Sequence, residues 1–523
     1  MIAVRELHMS RQAAKLHVAP LPSSTIDIGP AKAASIEMAP VLRRLLNTLE
    51  TKQIRYCHWK SNMRLSEAVR GDDDVDLLID RRDALAFHSV LCETGFRLAR
   101  SRTGIGHPGV VHAVGADADG VNPVHLHIYF HVISGDSLIK NYRLAIEQTL
   151  LDQTRILNGV RVPAAEAELA IFALRAALKH ASLIEILMVR RDGRKIADEM
   201  MWLRDSARMD VSVSLCAKWF PELDPALFRK VVASFADRKT TIWTRILLGR
   251  RLAIALKDRR RYRGVGALLR RMHHVAALLL GRTQGRRDLV LANGGLIVAL
   301  VGPKATGKST LTSEIARYFG RHLDVVRMHV GKPVPTVSTW IVHMLVPIAR
   351  RLLPGETSGA YETTARRSER RYSLLFVLRM ALLAHDRRIL LRRAQRIAAG
   401  GGLVICDRYP SVTVGAIDSS CFDDGAIEKS GSRLKRRLML WERSIYRSLP
   451  QPGLVIRLAA PIETAICRDA SRRKEGGPQA DAVRRRWTLE VDGEFAANVV
   501  VVETDRPLDE TVAAVVRAVW TAL

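Results

Sequence analysis

At 523 residues the chain is too long for one hydrophobic core and implies two or three domains, while its 48% hydrophobic content is ordinary for a globular protein. A formal net charge of +29 points to anionic partners, whether nucleotides, nucleic acid or the acidic face of a membrane, and does not choose among them. No apolar run reaches the roughly 18 residues of a membrane span and the N-terminus lacks a compact apolar core with a cleavage site, so the chain reads as soluble or peripheral. The cysteines at 57, 92, 216, 406, 421 and 467 are scattered, with no C-x-x-C pair and no metal-ligand spacing, which fits structural thiols in a reducing cytoplasmic setting.

In chain order, residues 1–40 mix Ala, Pro, Ser and isolated apolar residues without a sustained period and read as a poorly ordered extension. Val41, Leu42, Leu45, Leu46 and Leu49 have helical spacing, and a strand is expected through Ile54 to Trp59. The polar turn Lys60-Ser61-Asn62 follows, and then the run Gly71-Asp72-Asp73-Asp74-Val75-Asp76-Leu77-Leu78-Ile79-Asp80. Strand alternation puts Asp74 and Asp76 on one side, where two carboxylates can share a metal ion. The plain alternative is a solvated turn leading into a buried strand.

This stretch resembles the nucleotidyltransferase superfamily of the polymerase-β type, in which a Gly-Ser turn precedes an Asp-x-Asp strand. Ser61, Asp74 and Asp76 match, and Lys60 stands where the family has Gly. The resemblance implies a third carboxylate on a later strand, here Val124 to His131, but His125 occupies the place. Imidazole suits transition metals and is a poor partner for Mg²⁺. Residues 41–237 are therefore expected to form a mixed α/β nucleotidyltransferase-like domain, degenerate in activity, with Asp74 and Asp76 a secondary metal site. His125, His127 and His131 alternate on one strand face and read as hydrogen-bonded structural residues.

Gly159 to Pro163 reads as a short strand, Ala164 to Ser182 as a helix, and further helical patterns run to about Phe235. From 238 to 290 there are fifteen basic residues against two acidic, interleaved with Leu, Ile and Ala at helical spacing. A basic amphipathic connector of this kind suits an anionic membrane surface or a polyanion, and a solvated helical spacer is the plain alternative. There is no strong nucleic-acid signal beyond charge, and nothing in the sequence speaks to oligomeric state.

Residues 291–523 read as the second domain. Apolar runs at Leu296 to Val301, Asp324 to Val330, Leu403 to Asp407, Leu454 to Leu458 and Val499 to Glu503, separated by helical stretches, imply a parallel sheet covered on both faces. The first run leads into Gly302-Pro303-Lys304-Ala305-Thr306-Gly307-Lys308-Ser309-Thr310, a G-x-x-x-x-G-K-S loop between strand and helix. In that pattern the glycines let backbone N–H groups face phosphate oxygens, Lys308 reaches the β- and γ-phosphates of ATP, and the Ser309 hydroxyl completes the shell of a bridging Mg²⁺. Asp407 and Arg408 at the end of a buried strand supply a carboxylate for Mg²⁺ and a guanidinium for phosphate. Arg468, Arg472 and Arg473 on a later helix could close over the transferring group.

Residues 294–523 resemble the thymidylate kinase family of nucleoside monophosphate kinases, through the P-loop, Asp407-Arg408-Tyr409, the preceding Asp386-Arg387, and the lid-like Arg468 to Arg473. The resemblance implies that Arg408 and Arg387 hold the acceptor phosphate and that Thr504-Asp505-Arg506-Pro507 faces adenine. Two departures stand out. Lys304 occupies the place of an acidic loop residue, and Arg327-Met328-His329-Val330-Gly331-Lys332-Pro333 replaces the Arg-Glu-Pro-Gly turn. The expected activity is ATP-dependent phosphoryl transfer, with Mg²⁺, to a small phosphorylated or hydroxylated acceptor. An ATP-binding regulator or scaffold of a membrane-associated assembly, and nucleotidyl transfer by the N-terminal domain, are the alternatives.

Overall fold

The fold is described from a computed structural model, which describes residues 37–117, 122–181, 193–283, 289–336, 339–340, 344, 372–416, 418–471, 493–495 and 497–523. Residues 1–36 of the extension expected over 1–40, most of 337–371, and Arg472 and Arg473 lie outside these residues, and the first helix begins at Pro40. The first sheet takes β1 (Tyr56–His58), β2 (Val75–Ile79), β3 (Phe96–Ser101), β4 (Val110–Gly115) and β5 (Val124–Tyr129). Two hairpins follow, β6 (Ile133–Ser134) with β7 (Tyr142–Arg143) and β8 (Thr154–Leu157) with β9 (Val160–Pro163), and then β10 (Leu289–Leu291). The second sheet takes β11 (Ile297–Val301), β12 (Val325–His329), β13 (Leu403–Asp407), β14 (Leu454–Ala459) and β15 (Asn498–Glu503).

The first sheet runs in the order β1-β2-β5-β4-β3-β10 and is mixed: β2 and β5 are parallel, and the other pairs are antiparallel. Beside it, the helix Ala165–His180 packs with Gly193–Ser206, Met209–Trp219 and Pro225–Ala236 around a core that includes Leu174, Met200, Phe228 and Phe235. Asp224 caps the last of these by accepting from the Ala226 N–H, with Pro225 at the first helical position, where a missing N–H costs nothing.

The second sheet is wholly parallel in the order β12-β13-β11-β14-β15. Alternation along its strands explains why both faces are covered. Val298 and Leu300 of β11, Leu403 and Ile405 of β13, and Leu454, Ile456 and Leu458 of β14 face one core, together with Leu311, Ile315, Phe319, Val515 and Trp520 from the helices Lys308–Phe319 and Leu508–Ala522. Ile297, Ala299, Val404, Cys406 and Val455 face the opposite core, with Leu391, Ala394 and Ile445 from the helices Leu374–Ala399 and Arg433–Arg447. A strand buried on both sides reads as a continuous apolar run, which is why these strands were visible in the sequence.

The connector does more than separate two domains. Its first helix, Ile242–Ala255, buries Leu248, Leu252 and Ala253 in the N-terminal helical core. Its end forms β10, which pairs with β3 and carries Leu291 into the core of the parallel sheet, so a boundary at 290 falls inside a strand. Ala99, Val114 and Ala116 of the first sheet belong to that same core. Trp520 stacks on Phe319 at 5.7 Å and donates its indole N–H to the Gly95 carbonyl at 2.8 Å, and the Tyr318 hydroxyl donates to the Asp117 carbonyl at 3.1 Å. Residues 37–523 thus form one compact unit, with a continuous core under both sheets.

Candidate functional site

The loop after β11 is built by backbone conformations that most side chains refuse. Gly302 has φ +141°, and a Cβ there would lie 2.6 Å from the Leu458 carbonyl oxygen, so only glycine lets the loop leave the sheet beside β14. Ala305 and Gly307 are also left-handed, at φ 69° and 89°, and the helix Lys308–Phe319 begins immediately after. The Lys308 ammonium lies back over the loop, donating to the carbonyls of Gly302 at 2.8 Å and Pro303 at 2.5 Å. The Thr306 hydroxyl donates to the Pro303 carbonyl at 2.9 Å and braces the curl. A helix N-terminus, a curled backbone and a poised ammonium make an anion-binding cradle.

Asp407 ends β13, next to β11, and its Oδ2 accepts from the Ser309 hydroxyl at 2.8 Å. Its other oxygen, Oδ1, is buried and has no hydrogen-bond partner among the described residues. A buried carboxylate oxygen without a donor is costly unless a cation takes it, and an oxygen-only pair of hydroxyl and carboxylate suits Mg²⁺. The residues present therefore fit that ion. His329, opposite Asp407 in the β12–β13 register, places Nδ1 3.3 Å from Asp407 Oδ2. In the sequence His329 stands only as part of the replaced turn, and the parallel pairing of β12 with β13 is what sets it beside Asp407.

Two arginines converge on Asp418 beyond β13. Arg408 is left-handed at φ 70°, and its guanidinium lies 3.3 Å from Asp418 Oδ2. Its stem passes over Gly331, where a Cβ would meet Arg408 Cδ at 2.6 Å. Arg387 is buried, and all five of its N–H donors go to protein acceptors: the carbonyls of Val330, Gly331 and Asp418, the Asp418 carboxylate and the Tyr446 hydroxyl. It holds the end of β12 against the Asp418 turn and has no N–H donor left over, whereas the Arg408 side chain stays 39% exposed. Tyr409 is buried and donates to the Pro450 carbonyl at 2.6 Å, a packing role. Nearby, Glu442 accepts from the Ser420 hydroxyl at 2.7 Å and the Cys421 N–H at 2.8 Å, while burial pushes its carboxyl up to about 7. Arg468 donates to the Thr504 carbonyl at 2.5 Å, which ties it to the segment after β15.

On the first sheet the structure brings Asp74 and Asp76 together with His125 and His127 of β5 and with Lys60 from the loop after β1, and occupies both carboxylates. Asp76 Oδ1 lies 2.7 Å from the Lys60 ammonium and 3.2 Å from His127 Nδ1. Burial alone would raise its pKa, but the Lys60 charge and the His127 hydrogen bond outweigh burial and hold the carboxyl far below the usual range. Asp74 Oδ1 lies 2.7 Å from His125 Nδ1. Lys60 also donates to the Tyr129 hydroxyl at 3.0 Å, as does Lys140. Ser61 is left-handed at φ 61° and leads into a short 3₁₀ turn, Asn62–Arg64. A pair of carboxylates already neutralised by an ammonium and hydrogen-bonded to imidazoles is not the open oxygen pair that a two-carboxylate Mg²⁺ site needs. His131 falls beyond β5 and packs on Gly109, separate from His125 and His127.

The strand order, the curled loop and the Ser309–Asp407 pair define a P-loop-type α/β domain. No protein-family model matches the chain. It is similar to the uncharacterised ATP-binding protein YghR of Escherichia coli K12, at 28% identity over 187 residues, covering 33% of this chain and 68% of the relative. It is also similar to the uncharacterised ATP-binding protein YghS of the same strain, at 25% identity over 233 residues, covering 43% of this chain and 93% of the relative. A solved thymidylate kinase structure from Candida albicans aligns with 18% identity and a TM-score of 0.26, covering 44% of this chain and 92% of that one.

Proposed function

We propose that the P-loop domain binds ATP with Mg²⁺ and transfers its γ-phosphoryl group to a small phosphorylated or hydroxylated acceptor. The observation that carries this reading is the orphaned Asp407 Oδ1, buried beside the Ser309 hydroxyl at the mouth of a loop that Lys308 already spans. The description of both Escherichia coli relatives as ATP-binding proteins supports the choice of nucleotide. Lys308 would turn from the loop carbonyls to the phosphates, Ser309 and Asp407 would hold the ion, and Arg408 would orient the acceptor. When bound, Mg²⁺ neutralises charge on the β- and γ-phosphates. The acceptor oxygen forms a bond to the γ-phosphorus as the bond from that phosphorus to the β-phosphate oxygen breaks, and ADP leaves; a phosphate acceptor attacks through an anionic oxygen, whereas a hydroxyl acceptor passes its proton to solvent. The protein contributes mainly position and charge.

Thymidine monophosphate is expected to be a poor acceptor. Arg387 is consumed by the Val330–Gly331 turn and Asp418, and that turn replaces the residues that select the base in the family the sequence resembles. A site built for other hydrogen bonds rejects a ligand that leaves its buried groups unpaired. Exposed Arg327 and Lys332 favour a more anionic acceptor, such as a phosphosugar or a phosphorylated lipid-linked precursor. Steady-state ADP release across nucleoside monophosphates and phosphosugars tests this, and efficient turnover confined to thymidine monophosphate would defeat it. Slow ATP consumption that no acceptor stimulates would favour a nucleotide-dependent regulator, and pyrophosphate in place of ADP would move the chemistry to the first sheet.

We also propose that the connector rests on an anionic lipid surface. The helix Gly264–Thr283 touches the rest of the protein through Ala267, Arg271 and His274, whereas Val265, Leu268, Leu269, Met272 and Leu279 lie exposed on other faces, each at least 56% accessible. Trp243 and Ile254 of the preceding helix are exposed as well, as are Arg250, Arg251, Arg263 and Arg270. An apolar stripe flanked by arginines matches an interface that offers acyl chains below phosphate headgroups. Among the described residues no helix is long and apolar enough to cross a membrane. The full chain should sediment with vesicles containing phosphatidylglycerol and not with purely zwitterionic ones, and Leu269→Asp with Met272→Asp should abolish the effect. Binding that follows charge alone and ignores those two substitutions would indicate a polyanion partner and overturn the lipid assignment.

A further inference from the structure

His112, His125 and His127 converge on one face of the central strands of the first sheet. The β4–β5 register sets His112 directly opposite His127, and His125 lies two residues along β5 on the same face. The three ring centroids are 4.6–5.3 Å apart, and one ring nitrogen from each residue lies within 4.8 Å of the others. His112 Nδ1 and His125 Nε2 are 3.2 Å apart. Two nitrogens bound to one tetrahedral zinc at ~2.0–2.1 Å stand about 3.3 Å apart, so this spacing already suits a shared ion.

We propose that His112, His125 and His127 form a binding site for a divalent transition metal of the zinc class, with a fourth position open to solvent or to a ligand. The carboxylates beneath the rings support this assignment. Asp74 Oδ1 lies 2.7 Å from His125 Nδ1 and Asp76 Oδ1 lies 3.2 Å from His127 Nδ1, each placed to accept that N–H. The tautomers that make both hydrogen bonds leave the lone pair on Nε2, the arrangement in which an outer carboxylate orients a metal-bound imidazole, and His127 Nε2 lies 3.6 Å from the other oxygen of Asp74. Asp74 and Asp76 therefore act as positioning residues for two of the ligands and are not themselves a Mg²⁺ pair. Three nitrogen donors select zinc, cobalt, nickel or copper over magnesium and calcium. The ladder hydrogen bonds hold all three Cα positions, so little ordering is needed on binding. The side chains of His127 and Asp74 are 21% and 37% accessible, which leaves a route for the ion to enter.

His322, just beyond the helix that starts at Lys308, sets its ring 5.0 Å from that of His125 and could form a competing set with Asp74 and His125. The two sets share His125 and cannot both be filled, which makes them separable. The full chain, stripped with chelator, is dialysed against Zn²⁺, freed of excess ion and assayed for bound metal by mass spectrometry, and a parallel sample receives Co²⁺. About one equivalent of zinc and strong visible bands of nitrogen-coordinated tetrahedral Co²⁺ are expected. His112→Gln and His127→Gln should each weaken binding at least ~10-fold, while His322→Ala and Asp407→Asn should retain it. Wild-type protein with no bound zinc and no cobalt bands overturns the site whatever the variants do. Binding lost in His322→Ala but kept in His112→Gln overturns it in favour of the other set, and binding lost only in Asp407→Asn assigns the ion to the P-loop. Thermal melts of the metal-free variants identify any that fail to fold, and for these the wild-type cobalt spectrum decides.

Discussion

Replacing Lys308 with alanine is expected to lower ATP turnover by roughly 10²–10³-fold, about 3–4 kcal/mol of lost charge stabilisation, while leaving the fold intact. The curl of the loop rests mainly on the backbone conformations of Gly302 and Gly307 and on the Thr306–Pro303 hydrogen bond, and the two carbonyls that lose the lysine, Gly302 and Pro303, are partly exposed and can turn to water. What disappears is the ammonium that donates to the Gly302 and Pro303 carbonyls and that, on the proposed function, would turn to the phosphate chain. The buried residues of the helix it begins, Leu311, Ile315 and Phe319, are untouched, so the melting temperature should hardly move. ADP release by the purified variant, measured beside its thermal melt, checks both halves. A variant that melts like wild type and turns over at the wild-type rate would remove this loop from the active site.

Asp407→Asn should reduce turnover on the order of 10²-fold at low Mg²⁺, with partial recovery as Mg²⁺ is raised, because the amide keeps the shape and discards the charge. The same change should leave the metal-free protein about as stable as wild type. In the wild type, Oδ1 is buried with no donor among the described residues; the amide removes the charge but sets an N–H₂ in the same place, so two costs on the order of 1–3 kcal/mol largely offset each other. Lost activity at unchanged stability is the signature of a residue kept for an ion. If Asp407→Asn instead destabilises the fold and leaves the rate and its Mg²⁺ dependence unchanged, the carboxylate is structural, and the Ser309 contact is an ordinary hydrogen bond.

The sequence by itself determined the features whose physics is local. The loop is legible because its glycines, lysine and serine must be adjacent in the chain to curl around one phosphate group, and β11, β13 and β14 are legible because a strand buried on both faces is an unbroken apolar run. β3 and β4 were not singled out: each has a half-exposed, partly polar stretch, Arg97 to Ser101 and Val110 to His112, that blurs the period. Only the tertiary structure decided how distant residues share their donors and charges. The sequence offered Arg387 as an acceptor ligand, but Val330, Gly331, Asp418 and Tyr446 use all of its N–H groups. It offered Arg468 as a lid residue, and Thr504 holds it. It grouped His125 and His127 with His131 by alternation along one strand, whereas strand pairing supplies His112 from β4. It drew a border at 290 where charge density falls, and the chain there enters a strand that ties the two sheets to one core. A side chain's hydrogen-bonding capacity is finite, and which partners exhaust it depends on contacts up to tens or hundreds of residues apart, which no local period records.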